Sequence, residues 1–167
     1  SDPKGQLKPL IADITDDHYS VVDDVNGKFL VETNKDAPRG RLVEIDPATG
    51  QWKDIIPQGK DVLSGVSAAG HKLFAHYLQD VSTHIKVFSL AGQLENEVEL
   101  PGLGTVSGFG GWRDDTSVFY SFSSYNYPAT IFNYDIQTRK STLFRKPEAA
   151  FEPTNYEVEQ VFYPSKD

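Results

Sequence analysis

Apolar residues in this chain fall in short runs that alternate with polar positions, and Gly, Pro, Asn or Asp bounds each run. Helical periodicity is hard to find, while aromatic and β-branched residues recur throughout, so the chain reads as nearly all β. The runs also repeat. Lys28-Phe-Leu-Val-Glu32, Lys72-Leu-Phe-Ala-His76 and Ser117-Val-Phe-Tyr-Ser121 open strand-like stretches at a similar phase of three segments. Ile45-Asp46, Phe88-Ser89 and Tyr134-Asp135 mark matching points 43 and 46 residues apart, and Pro57, Pro101 and Pro147 close the segments 44 and 46 residues apart.

A repeat of this length, made of short strands and turns, predicts β-propeller blades. The first blade has expected strands near His18–Asp24, Lys28–Thr33, Arg41–Ile45 and Trp52–Ile56. Asn26-Gly27 is a strong two-residue hairpin signal, and Asp46-Pro-Ala-Thr-Gly50 forms a second turn. The second has Val62–Ser67, Lys72–Tyr77, His84–Leu90 and Gln93–Leu100, turning at Ala69-Gly70 and Ala91-Gly92. The third has Thr105–Phe109, Ser117–Ser123, Thr130–Ile136 and Ser141–Arg145. The fold expected is all-β: a partial β-propeller of about three four-stranded antiparallel blades.

Both ends read as cuts inside a larger protein. Residues 1–16, with a strand at Leu7–Ile14, suit the outer strand of a preceding blade, where Pro9 fits an edge. Residues 17–57, 58–101 and 102–147 make the three blades. Residues 148–167 read as a linker in which Glu152-Pro153 breaks regular structure and Tyr156–Tyr163 resumes an alternating strand. The start at Ser1, with neither a Met nor a basic-then-apolar leader, suggests a processed or excised piece.

Charge narrows the partners. Acidic residues outnumber basic ones 24 to 16, for a net charge of −8, which disfavours non-specific nucleic-acid binding. Cysteine is absent, so neither disulfides nor thiolate metal sites are available. No apolar stretch approaches the roughly 20 residues that span a bilayer. A soluble protein, cytoplasmic or periplasmic, with no nucleic-acid or membrane partner is expected.

Thr33-Asn-Lys-Asp-Ala-Pro-Arg-Gly-Arg-Leu-Val-Glu-Ile-Asp46, Leu100-Pro-Gly-Leu-Gly-Thr-Val-Ser-Gly-Phe-Gly-Gly111, Val118-Phe-Tyr-Ser-Phe122, Tyr127-Pro-Ala-Thr-Ile131 and Val161-Phe-Tyr-Pro-Ser-Lys-Asp167 are spread over most of the chain. In these stretches it resembles the later blades of the propeller of the prolyl oligopeptidases, serine peptidases that cleave short peptides after proline. The resemblance implies a seven-bladed propeller covering an α/β-hydrolase domain, with residues 161–167 at the crossing between them. It also implies that the catalytic Ser, Asp and His lie in the hydrolase part, so no residue here inherits a catalytic, cofactor-binding or metal-binding role and no cofactor is expected.

Local chemistry agrees. Gly65-Val-Ser-Ala-Ala69 approaches a nucleophile elbow but has Ala69 in place of the second Gly and no helix after it, so a structural strand end is favoured. His71 and His76, five apart on a strand, would face opposite sides and cannot readily share an ion. His18 and His84 suit surface or satisfied core roles. Asp114-Asp115 has the residue types of a paired-carboxylate site but fits a hairpin turn better. Gly102-Leu-Gly104 and Gly108-Phe-Gly110-Gly111 resemble phosphate loops, yet a strand follows where a helix is needed, which favours close backbone packing. Phe119, Tyr120, Phe122, Tyr125 and Tyr127 could form a stacking platform. Phe119 and Tyr120 must face opposite sides of a strand, so part of this set belongs between blades. Arg39 and Arg41 fit a contact with a neighbouring domain and a solvated loop equally well.

The expected function is therefore that of a lid or filter, inert alone, whose partners are a hydrolase domain and, through it, short proline-containing peptides. Exposed blade faces predict self-association. A stand-alone module binding a peptide, sugar or protein is the alternative. An enzyme in its own right, such as a propeller glycosidase, would need a paired-carboxylate site that the sequence does not display.

Overall fold

Alternation along each run decides the architecture. The computed structural model describes residues 9–12, 16–80, 82–147, 161 and 164, and the expected strand at Tyr156–Tyr163 and the 161–167 motif lie almost wholly outside them. Among the described residues are twelve strands: β1 (Tyr19–Val25), β2 (Lys28–Thr33), β3 (Arg41–Ile45), β4 (Trp52–Ile56), β5 (Val62–Ala69), β6 (Lys72–Gln79), β7 (Ser82–Ser89), β8 (Leu94–Glu97), β9 (Thr105–Gly108), β10 (Ser117–Ser124), β11 (Tyr127–Asp135) and β12 (Lys140–Arg145). They form three four-stranded antiparallel meanders in chain order, β1–β4, β5–β8 and β9–β12.

The repeat markers have a physical cause. At the end of β3, Asp46 Oδ1 accepts hydrogen bonds from the amides of Ala48 (2.8 Å) and Thr49 (3.3 Å). After β11, Asp135 Oδ1 accepts from the amide of Thr138 (2.6 Å). After β7, Ser89 Oγ accepts from the Gln93 amide (3.2 Å). One short polar side chain at the same phase thus closes the third turn of each meander. These bonds hold the Asp46 and Asp135 carboxyls below their ordinary value.

The first turns obey backbone sterics. Asn26 (φ +52°) and Gly27 (φ +77°) form the β1–β2 hairpin, and Gly70 (φ +54°) and His71 (φ +57°) form β5–β6. His71 is therefore a turn residue rather than a strand residue, one position beyond the expected turn. β11 begins at Tyr127, before Pro128, and the register shifts opposite Phe122 to Ser124. That bulge accommodates a residue with no N–H to give the ladder. β8 stops at Glu97, short of the expected Leu100.

Stacking of the sheets places the core. Leu30, Leu42 and Ile56 of the first sheet pack with Leu63, Leu73, Ala75, Tyr77 and Phe88 of the second. Phe74, Ile85 and Val87 leave the opposite face of the second sheet to pack with Val106, Phe109, Val118, Tyr120, Phe122, Phe132 and Tyr134 of the third. The middle sheet is thus buried on both faces, and Leu73-Phe74-Ala75 is a continuous apolar run because successive side chains serve different neighbours. On the far face of the first sheet, Leu10 and Ile11 pack on Val31, Val43 and Ile45. The expected strand at Leu7–Ile14 lies largely outside the described residues, and residues 9–12 carry no strand pairing.

Close backbone approach locks neighbouring sheets together. Leu63 N–H donates to Arg39 O (2.7 Å), Thr83 N–H to Gly104 O (2.9 Å) and Gly70 N–H to Trp112 O (3.0 Å). Gly92 (φ +83°) lies against the Ile55 carbonyl, where a Cβ would collide with backbone.

Candidate functional site

The residues singled out in the sequence disperse. Gly65–Ala69 lies within β5, and Ser67 Oγ donates to Gly108 O at 3.4 Å. His18 Nε2 meets Glu32 Oε1 at 2.7 Å. His71 lies 3.4 Å from Asp114, whereas His76 packs edge-on against Phe109. Burial lowers the His76 pKa, an effect partly offset by a hydrogen bond with the Gly108 backbone. Asp115 Oδ2 accepts from the Trp112 amide at 2.6 Å, so Asp114-Asp115 belongs to the loop from β9 to β10. Arg41 Nη1 donates to Asp54 Oδ1 at 3.1 Å, and the Arg39 amide donates to Gln58 Oε1 at 2.7 Å. Tyr120 and Phe122 are buried, Phe119 is half-exposed against Phe144, and Tyr125 is fully exposed. Among the described residues no cluster of three or more His, Asp or Glu could hold a metal ion.

Two arrangements do converge. At the end of the array that carries the β1–β2 and β5–β6 hairpins, a cleft of about 380 Å³ is bounded by Asp23 and Asp24 of β1, Ala69 of β5, His71 of the β5–β6 turn, and Trp112 and Arg113 of the loop from β9 to β10. Arg113 closes it. Its Nη2 donates to Asp23 Oδ1 at 2.8 Å and to the carbonyl of Asp24, spanning from the third sheet to the first. The hydrogen bond and charge of Asp23 raise the Arg113 pKa further. Trp112, 83% exposed, stands beside this clasp.

At the opposite end, where β6 turns into β7, Ser82 Oγ lies 3.4 Å from His84 Nε2, and His84 Nδ1 lies 2.8 Å from Glu97 Oε1. These side chains border a cavity of about 440 Å³ whose other walls include Leu100 and Leu103. Ser82 also donates to Gln79 O at 3.2 Å. Sequence reasoning singles out His84 alone and misses the group. The available signal is the Ser-x-His spacing, which puts both side chains on one face of a strand, but the carboxylate comes from the next strand and only pairing reveals it.

Solved structures share this architecture. A prolyl endopeptidase, from a study of two such enzymes and the role of inter-domain dynamics in catalysis and specificity, superposes with a TM-score of 0.84 at 35% identity, over 94% of this chain and 24% of that one. Apo prolyl oligopeptidase B from Galerina marginata gives 0.83 at 25% identity, over 92% and 23%. Three stacked meanders of this kind are a partial β-propeller, as the repeat predicted. Residues 1–147 match the family described as prolyl oligopeptidase, N-terminal beta-propeller domain. Over 167 residues the chain is 37% identical to the prolyl endopeptidase of Elizabethkingia meningoseptica, covering 98% of this chain and 23% of that protein. It is 31% identical over 157 residues to the dual function macrocyclase-peptidase POPB of Amanita bisporigera, covering 89% and 21%. The chain belongs to the prolyl oligopeptidase family and corresponds to its propeller domain, spanning less than a quarter of the length of these relatives.

Proposed function

We propose that these residues are one arc of a propeller wall in a longer serine peptidase, and that they screen access to a peptide-cleaving site without supplying the groups that cut the bond. The match of residues 1–147 to the family's propeller domain carries this reading. The structure supports it through the way polar groups are used: Asp46, Asp135, Ser89 and Asp115 hold turns, and Arg113 ties sheet to sheet. The wall divides into blades at residues 17–57, 58–101 and 102–147, with 148–167 leading toward a hydrolase domain. Among the described residues no helix is long and apolar enough to cross a membrane.

The far face of the third sheet presents Phe119, Ile131 and Phe144, all partly exposed. If a blade face of several hundred Å² is left open, burying it contributes several kcal/mol at about 25 cal/mol per Å², so the isolated chain self-associates through it. Light scattering over a wide concentration range tests this, and a compact monomer throughout contradicts it.

The principal test compares the 167-residue chain with the protein encoded by its complete reading frame, using a short chromogenic prolyl peptide and a folded protein containing the same cleavage sequence. The chain alone gives no turnover, and the complete protein cuts the short peptide and spares the folded one. Peptide turnover by the chain, or equal cleavage of both substrates by the complete protein, defeats the proposal.

A further inference from the structure

We propose that Ser82 is a second, independent nucleophile, able to accept an acyl group from a small activated ester. The order of atoms is that of an acyl-transfer relay: carboxylate, imidazole, hydroxyl. Glu97 Oε1 at 2.8 Å from His84 Nδ1 selects the tautomer with its proton on Nδ1, which leaves the Nε2 lone pair facing Ser82 Oγ at 3.4 Å. That distance is longer than a formed hydrogen bond, as such contacts often are before substrate binds. The hydroxyl has one proton and two acceptors, Gln79 O at 3.2 Å and His84 Nε2, so a rotation about Cβ–Oγ engages the relay.

Surroundings suit a small substrate. Ser82 is 5% exposed and lines the 440 Å³ cavity, whose walls combine His84 and Glu97 with apolar Val98, Leu100 and Leu103. In the step proposed, Ser82 Oγ attacks the ester carbonyl carbon while its proton passes to His84 Nε2. The bond to the leaving alkoxide or phenolate then breaks, the imidazolium releases its proton to solvent or leaving group, and O-acyl-Ser82 remains. No redox partner is needed. Glu97 touches no reacting atom and is a positioning residue. The inference does not rest on the peptidase reading, because it concerns ester electrophiles at a site of the propeller itself.

The test is to incubate the 167-residue chain with p-nitrophenyl acetate, follow p-nitrophenolate, and locate acetyl groups by peptide mapping. Acetyl on Ser82 of the wild-type chain is expected. His84→Gln should lower Ser82 acetylation about 100-fold or more, the scale of a lost general base. Glu97→Gln should lower it less and change the pH profile, with circular dichroism confirming that both variants fold. Acetyl groups confined to lysines, or Ser82 acetylation unchanged in His84→Gln, overturn the assignment. The wild-type map alone decides the matter if a variant fails to fold.

Discussion

Phe109 is where the second and third sheets meet, and its truncation tests how that junction is held. The side chain is fully buried. Its ring stacks on Tyr120 at 4.6 Å and on Phe74 at 5.2 Å, and meets Tyr134 edge-on at 5.9 Å. Phe→Ala in a core costs about 3–5 kcal/mol, and aromatic pairs add roughly 0.5–1.5 kcal/mol each beyond their area. The upper part of that range, about 4–5 kcal/mol, applies here. Against a usual total of about 5–15 kcal/mol, this is about a quarter of the stability or more. Phe109 also adopts φ +63° directly after Gly108 at φ +115°, a backbone that bulky residues rarely take. Alanine keeps the left-handed strain and glycine releases it, so Phe109→Gly should be more stable than Phe109→Ala by about 1 kcal/mol, reversing the usual order. Urea unfolding followed by far-ultraviolet circular dichroism measures both differences. A loss below about 1 kcal/mol for Phe109→Ala, or alanine outranking glycine, would refute this account of the junction.

Three further outcomes are expected. Gly92→Ala should cost about 2 kcal/mol or more, because the new Cβ meets the Ile55 carbonyl, whereas Gly50→Ala, at φ +69° in open space, should cost only about 1 kcal/mol; equal shifts in thermal midpoint would remove the close-approach argument. His76 is half-buried with its pKa lowered from 6.5 by desolvation, so the unfolded chain binds the proton more readily: its effect is absent above that value, and stability falls as pH drops below it toward the lowered folded value, by up to about 1.4 kcal/mol per pH unit. His76→Gln should flatten this slope in urea midpoints taken across that range, and an unchanged slope would assign it elsewhere. Arg113→Met should speed amide hydrogen exchange in the β1–β2 hairpin at low salt, with the difference shrinking at high salt; identical exchange would mean that the clasp restrains nothing.

The sequence alone determined the strand content, the period and most of the turns, because these are local: Asn26-Gly27 can take φ > 0, Asp46 and Asp135 close the turns that follow them, and alternating side chains must leave a strand on opposite faces. It also carried the family resemblance, which is spread over several segments. Only the tertiary structure decided which face met which neighbour, since Leu73 and Phe74 are equally apolar and only stacking assigns one to the first sheet and the other to the third. The same holds for chemistry. His71 and His76 are close in sequence and separate in space, while Ser82, His84 and Glu97 come together through pairing of β7 with β8, and Arg113 reaches Asp23 across 90 residues of chain. Contacts between residues distant in sequence depend on register and packing, which no local pattern encodes.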